Sequence, residues 1–225
     1  MADAYYHPYR KALSSAQMQV NANWLKNYLL PKGWTLNAIA ACLGNWQSEC
    51  TLNPNRPQRA GYPQDTKGGF GLAQWTSWGR KYGAWCKSQN IYNIARDDNP
   101  AGRMEPQIAY HDWECTNGIN GGKTWYANHG YNYSWEAFKR STDNPATLAT
   151  AYYWQYERSA ANNPGSRPNN AVAWYNYLIG QPYNPISSAT YPERPQFMQS
   201  SLIGGWNLQF LIMIILLLLM GGNRK

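Results

Sequence analysis

Apolar positions recur at helical spacing along residues 22–179, and the period-two alternation of strands is scarce. Trp24, Leu25, Tyr28 and Leu29 share one side of a predicted helix over 22–30, which Pro31, Lys32 and Gly33 stop. Thr35 is a capping residue for a second helix that begins near Leu36. On it, Ile39, Cys42, Leu43, Trp46 and Cys50 line up as one apolar face. Residues 53–71 are rich in Pro, Gly, Asn and Gln and read as a long loop. Further helices are predicted over 78–88, 105–114 (with Pro106 in its first turn), 134–140, 145–158 and 170–179. Residues 116–133, heavy in Gly and Asn, separate two of them as loop. The expected fold class is therefore mainly α, in one domain over 1–181.

The pattern changes after Gln181. Pro182, Pro185, Pro192 and Pro195 punctuate a stretch that reads as an extended linker over 182–195. No charged residue occurs from Pro195 to Asn223, a run longer than the roughly 20 residues that span a bilayer. Its centre, from Phe210 to Met220, is unbroken apolar and has no polar face. The tail 196–225 is thus expected to be a hydrophobic, membrane-interacting helix, with a buried core helix as the alternative. Trp206 is placed for an interface, and Arg224 and Lys225 close the chain.

Composition narrows the partners. The net charge is +8, so nucleic acid, anionic lipid and anionic cell wall are all drawn to the surface. No Lys/Arg-rich run or nucleic-acid motif is present, which ranks nucleic acid last. The 12 Trp and 18 Tyr suit both a core and a sugar-binding cleft. Cys42, Cys50, Cys86 and Cys115 form no C-x-x-C pair and have no His at zinc-finger spacing, so no metal site is expected. Disulfides and buried free thiols both remain open. Residues 1–13 lack the basic-then-apolar layout of a secretory signal, so delivery by something other than a cleaved leader is expected.

Glu49 is the carboxyl of interest. It lies on the flank of the apolar face of the second helix, just before the chain breaks at 51–54. Partial desolvation there raises a carboxyl's pKa, as a general acid for glycosidic oxygen requires. By itself a Glu near a helix end is more often a solvated surface residue.

Four blocks in order sharpen that reading. The first runs from Ile39 through Gly44, Asn45 and Glu49 to Pro54, preceded by Trp24 and Leu25. The second is Gly71, Leu72, Ala73, Gln74, Trp75 and Thr76, followed by Arg80. The third spans Gln107 to Glu114, and the fourth is Tyr156, Glu157 and Arg158, with Arg167 and Ala171 beyond. Together they resemble the phage tail lysozyme family over about residues 21–178. The resemblance implies a lysozyme-like fold, α+β with a minimal sheet, and a virion-associated muramidase acting on bacterial peptidoglycan without a cofactor. It implies a place in the virion, in the tail or a virion membrane, among other virion proteins, with action at the host envelope. Two features depart from the family pattern: Cys50 stands where Ser usually follows the Glu, and the loops 53–67 and 116–133 are long.

The same blocks echo the lytic transglycosylases through Glu49 and Cys50, the run Gly71 to Gln74, and Ala151, Tyr152 and Tyr153. That likeness leaves open whether water or the sugar's own hydroxyl completes the reaction. A membrane-penetrating or anchored virion protein with a decayed enzyme domain is the rival from another class. The expected site residues are Glu49 and Asp65 as the catalytic carboxylates, with Gly71, Gln74 and Tyr153 as substrate contacts. Glu114 and Glu157 read as structural, Glu157 paired with an Arg. His111 and His129 come with no ligand or nucleophile pattern.

Overall fold

The structure, a computed structural model, describes residues 5–58, 68–76, 81–91, 100–119, 122–158 and 161–183. The linker beyond 183 and the tail lie outside these residues, as does the loop carrying Asp65. The described chain is helical: α1 Ser15–Leu29, α2 Leu36–Cys50, α3 Tyr82–Ser88, α4 Met104–Asn117, α5 Trp135–Arg140, α6 Pro145–Tyr152 and α7 Arg167–Ile179. Short 3-10 turns at Leu30–Lys32 and Pro100–Gly102, and a π turn at Tyr153–Glu157, complete it. Only isolated bridges occur among the described residues, pairing Pro57 with Phe70, Ile119 with Gly122, and Asn128 with Tyr131. No described helix is long and apolar enough to cross a membrane.

Local sequence chemistry sets the boundaries. Ser14 and Gln17 form a capping box at the start of α1, so that helix begins well before its apolar stripe. Gly33, at φ 81°, ends the turn that follows. Thr35 caps α2 by accepting from Ala38 N at 3.2 Å. Residues 38–46 of α2 are buried on every side, which makes it the central helix of the domain. It packs against α7, α6, α1 and α5. Asn45 binds it to α6, its Nδ2 donating to Ala149 O at 3.1 Å.

The aromatic excess fills the core. Trp75, Tyr82, Trp85 and Tyr110 form one buried cluster, and Trp125, Trp135, Phe138 and Tyr152 another. All four cysteines are buried free thiols, which decides between the two possibilities left open by their spacing. At the end of the described chain, buried Lys26 on α1 donates to Gln181 O at 2.8 Å and Pro182 O at 2.9 Å.

Candidate active site

Glu49 sits in the last turn of α2 with 22% of its side chain exposed. The helix ends sharply because Thr51 and Leu52 both adopt left-handed backbone, at φ 54° and 55°. Two successive non-glycine residues in that region cost on the order of 1–3 kcal/mol each, so surrounding contacts must hold them. Asn21 Nδ2 donates to Leu52 O at 2.9 Å, and Leu13 N to Thr51 Oγ1 at 3.1 Å. Asn53 Nδ2 donates to Pro8 O and Lys11 O, each at 2.7 Å. The N-terminal segment is thereby tied to the turn that follows Glu49.

The partner of Glu49 comes from α7. Arg167, the first residue of that helix, donates through Nη2 to Glu49 Oε1 in an ion pair. Gly44 makes the approach possible: a Cβ there would lie 2.5 Å from Arg167 O and 2.7 Å from Ala171 N. The Tyr153 ring lies under the guanidinium, with Cζ 5.1 Å from the ring centroid. Arg167 Nη1 donates to Pro164 O at 3.3 Å.

A cleft of about 330 Å³ opens beside this pair, lined among others by Glu49, Gln74, Trp75, Glu114, Glu157 and Arg158. Glu114 is buried at its base. Trp75 Nε1 donates to Glu114 Oε1 at 2.6 Å, and the Tyr156 hydroxyl donates to the same oxygen. Burial outweighs these hydrogen bonds and pushes the Glu114 carboxyl up to about 7. Glu157 and Arg158 are delivered by the π turn, a backbone irregularity common at functional sites. Desolvation, then the charge of Glu49, raise the Glu157 carboxyl well above its ordinary range. Its Oε1 is buried with no hydrogen-bond partner among the described residues. Arg158 follows in left-handed backbone at φ 49°. It is fixed by a 3.0 Å bond to Thr124 O and by the Tyr126 ring, 4.6 Å away.

The structure brings Glu49 and Gln74 to one cleft and places Gly71 and Tyr153 in the buried interior. Gln74 lies at φ 45° and spends its Nε2 on Arg56 O and Gly71 O, each at 2.9 Å, shaping the turn it lies in. Gly71 is buried at φ 81° against the Gln107 amide, where a Cβ would come within 2.6 Å, so it serves close packing and not sugar contact. Tyr153 is fully buried. As an expected sugar contact it is corrected by that burial, and it acts on the site through Arg167. Asp65 lies outside the described residues. Among the described residues Glu157 forms no ion pair with an Arg; Arg167 pairs with Glu49. His111 is buried, with Nε2 2.6 Å from the Tyr152 hydroxyl, and burial lowers its pKa to about 3. His129 stacks on Trp154 at 3.6 Å. Trp75 is both core and cleft wall. Sequence reasoning missed the role of Arg167 and the cleft placement of Glu114 and Glu157. The Tyr-Glu-Arg block carried that signal without showing which way each side chain turns. A second hollow, lined by residues such as Tyr5, Tyr6, His7 and Lys11, has no carboxyl among its described residues.

Comparison with known proteins agrees with this geometry. The sequence profile described as phage tail lysozyme matches residues 20–178, which takes in every helix positioning the cleft. The chain is also 36% identical over 180 residues to Morphogenesis protein 1 of Bacillus phage B103, covering 80% of this chain and 45% of that protein. It thus spans less than half the length of that relative. With Glu49 at the cleft, the helical domain intact around it, and a profile match over most of the sequence, the chain belongs to the phage tail lysozyme family.

Proposed function

We propose that the chain is a virion-associated phage glycosidase that cuts between N-acetylmuramic acid and N-acetylglucosamine, opening the host wall locally for genome passage. The observation that carries this reading is Glu49, a part-exposed carboxyl at a cleft, supported by Arg167 in a chain of this family. Glu49 protonates the bridging oxygen, and water captures the oxocarbenium-like sugar. Arg167 stabilises the carboxylate left once the proton has gone. Asp65 is the proposed water-positioning carboxylate. The +8 charge favours an anionic wall as partner, and the tail 210–220 is proposed to engage a membrane. The phage relative, named a morphogenesis protein, supports a place in the virion beside other virion proteins.

One observation favours a second reading. Burial disfavours the charged form of both Glu114 and Glu157, so neither of these cleft residues is suited to act as a second carboxylate. A lytic transglycosylase needs only one, acting as acid and then as base while the muramyl 6-hydroxyl closes an anhydro ring. Mass spectrometry of digested wall separates the two: reducing ends mean hydrolysis, anhydro ends transglycosylation. Glu49→Gln is expected to lower wall clearance by roughly 10²-fold or more with little change in Tm. Wild-type clearance by the folded variant, or intact walls with the wild type, would overturn the enzymatic reading.

A further inference from the structure

At the cleft and the ion pair beside it, a buried donor and a buried acceptor both lack hydrogen-bond partners. Arg167 Nε and Glu157 Oε1 are each buried without a hydrogen bond, although Arg167 is among the charges acting on Glu157. Such groups are costly unless a second arrangement satisfies them. The guanidinium already uses Nη2 on Glu49 and Nη1 on Pro164 O. Its Nε–H is thus available to a second carboxylate.

We propose that Glu157 is a positioning residue for the proton of Glu49: the two carboxyls hold one proton between them, and Arg167 is the counter-ion of whichever is charged. The inference rests on the glycosidase reading of Glu49. Arg167 forms its ion pair with Glu49, and burial favours the protonated form of Glu157. Passage of that proton to Glu49 leaves a carboxylate at Glu157, which Arg167 then faces. Glu49 gives the proton to the bridging oxygen as the carbon–oxygen bond breaks. The attacking water adds its oxygen to the sugar carbon, and its released proton reloads the pair. One water is consumed and the pair returns to its starting state. Other groups acting on Glu157 are Glu114 on α4 and Arg158 at the end of the π turn, and Glu157 acts in turn on Cys42 of α2 and Tyr152 of α6. Glu114 disfavours charge on Glu157 and Arg158 favours it. Glu49 is the first charge acting on it and the one that changes during the reaction.

Two measurements on the full-length protein test this. In carboxyl carbon NMR, Glu157 is expected to titrate lower by about one unit or more in Glu49→Gln than in the wild type, because the like charge has gone. An identical Glu157 titration in both proteins overturns the proposal, whatever the activity. In the pH profile of wall cleavage, Glu157→Gln is expected to move the alkaline limb of kcat to lower pH by about one unit or more, with KM unchanged. Glu157→Asp is expected to restore part of the shift. A Glu157→Gln protein with a lower Tm but a wild-type limb shows a structural role only and overturns the proposal. Failure of Glu49→Gln to lose activity sinks the glycosidase reading separately, since the titration needs no turnover.

Discussion

At Glu114, an indole and a phenol donate to one carboxyl oxygen, yet burial dominates and the folded pKa is raised from 4.5 to about 7. The folded protein therefore keeps a proton that the unfolded chain gives up. Stability from this group is fully present below pH 4.5 and is lost as pH rises towards 7. The shift corresponds to about 3 kcal/mol in total. His111 acts in the opposite direction: its folded pKa is lowered from 6.5 to about 3, so its stability is lost as pH falls through that window. Glu114→Gln keeps an acceptor for Trp75 and Tyr156 and removes the titration. Urea denaturation should show the wild type losing stability relative to the variant as pH rises from 4.5 to 7; parallel pH profiles in both would place the effect elsewhere. At this scale the sequence was legible where a residue type implies its chemistry. Glu49 could be named as a candidate because the four blocks set an acid at a helix end just before a chain break. Glu114 and Glu157 could not, because their behaviour comes from burial by Trp75, Tyr156 and their surroundings, which no local pattern encodes.

Among the elements, caps and stops were readable and irregular backbone was not. Thr35 and Ser134 begin α2 and α5 as their side chains dictate. The helix expected over 145–158 instead changes to a π turn at Tyr153, because tertiary contacts of the Tyr-Glu-Arg block override local propensity. Gly44 shows how one element fixes another. Alanine is favoured over glycine within a helix by about 1 kcal/mol. Here its methyl would meet the α7 backbone at 2.5 Å, and overpacking of that kind costs about 1–3 kcal/mol. The contact wins because backbone cannot step aside as a flexible side chain would. Gly44→Ala is expected to lower Tm by several degrees and wall cleavage by roughly tenfold, through displacement of Arg167 from Glu49. A variant with raised Tm and full activity would show that helix propensity decides the outcome and that α7 has room to shift.

For the whole molecule, one helical domain was legible from periodicity, and its family from four ordered blocks; the shape of the cleft was not. Its walls come from loops whose closure depends on distant partners, such as Thr124 held by Glu114 and Arg158. The tail is a separate matter of solvent. Each Leu or Ile at its centre favours a bilayer by a few tenths of a kcal/mol, whereas a Lys or Asp would cost about 2.5–3.5. The full chain is expected to float with liposomes in a density gradient, and a chain ending at Pro182 to stay in the aqueous fraction and still cut wall. A full-length protein that stays aqueous and monomeric without detergent would remove the membrane reading.

The Lys26 bonds to Gln181 O and Pro182 O bear on what happens when the chain beyond them is pulled. Load arriving along the backbone meets a buried ammonium on α1 before it reaches the last turn of α7. The anchor lies at the far end of α7 from Arg167, so a tug is met at α1 and not first at the Glu49–Arg167 pair. A domain carried on a moving particle would then keep the Glu49–Arg167 geometry while under tension.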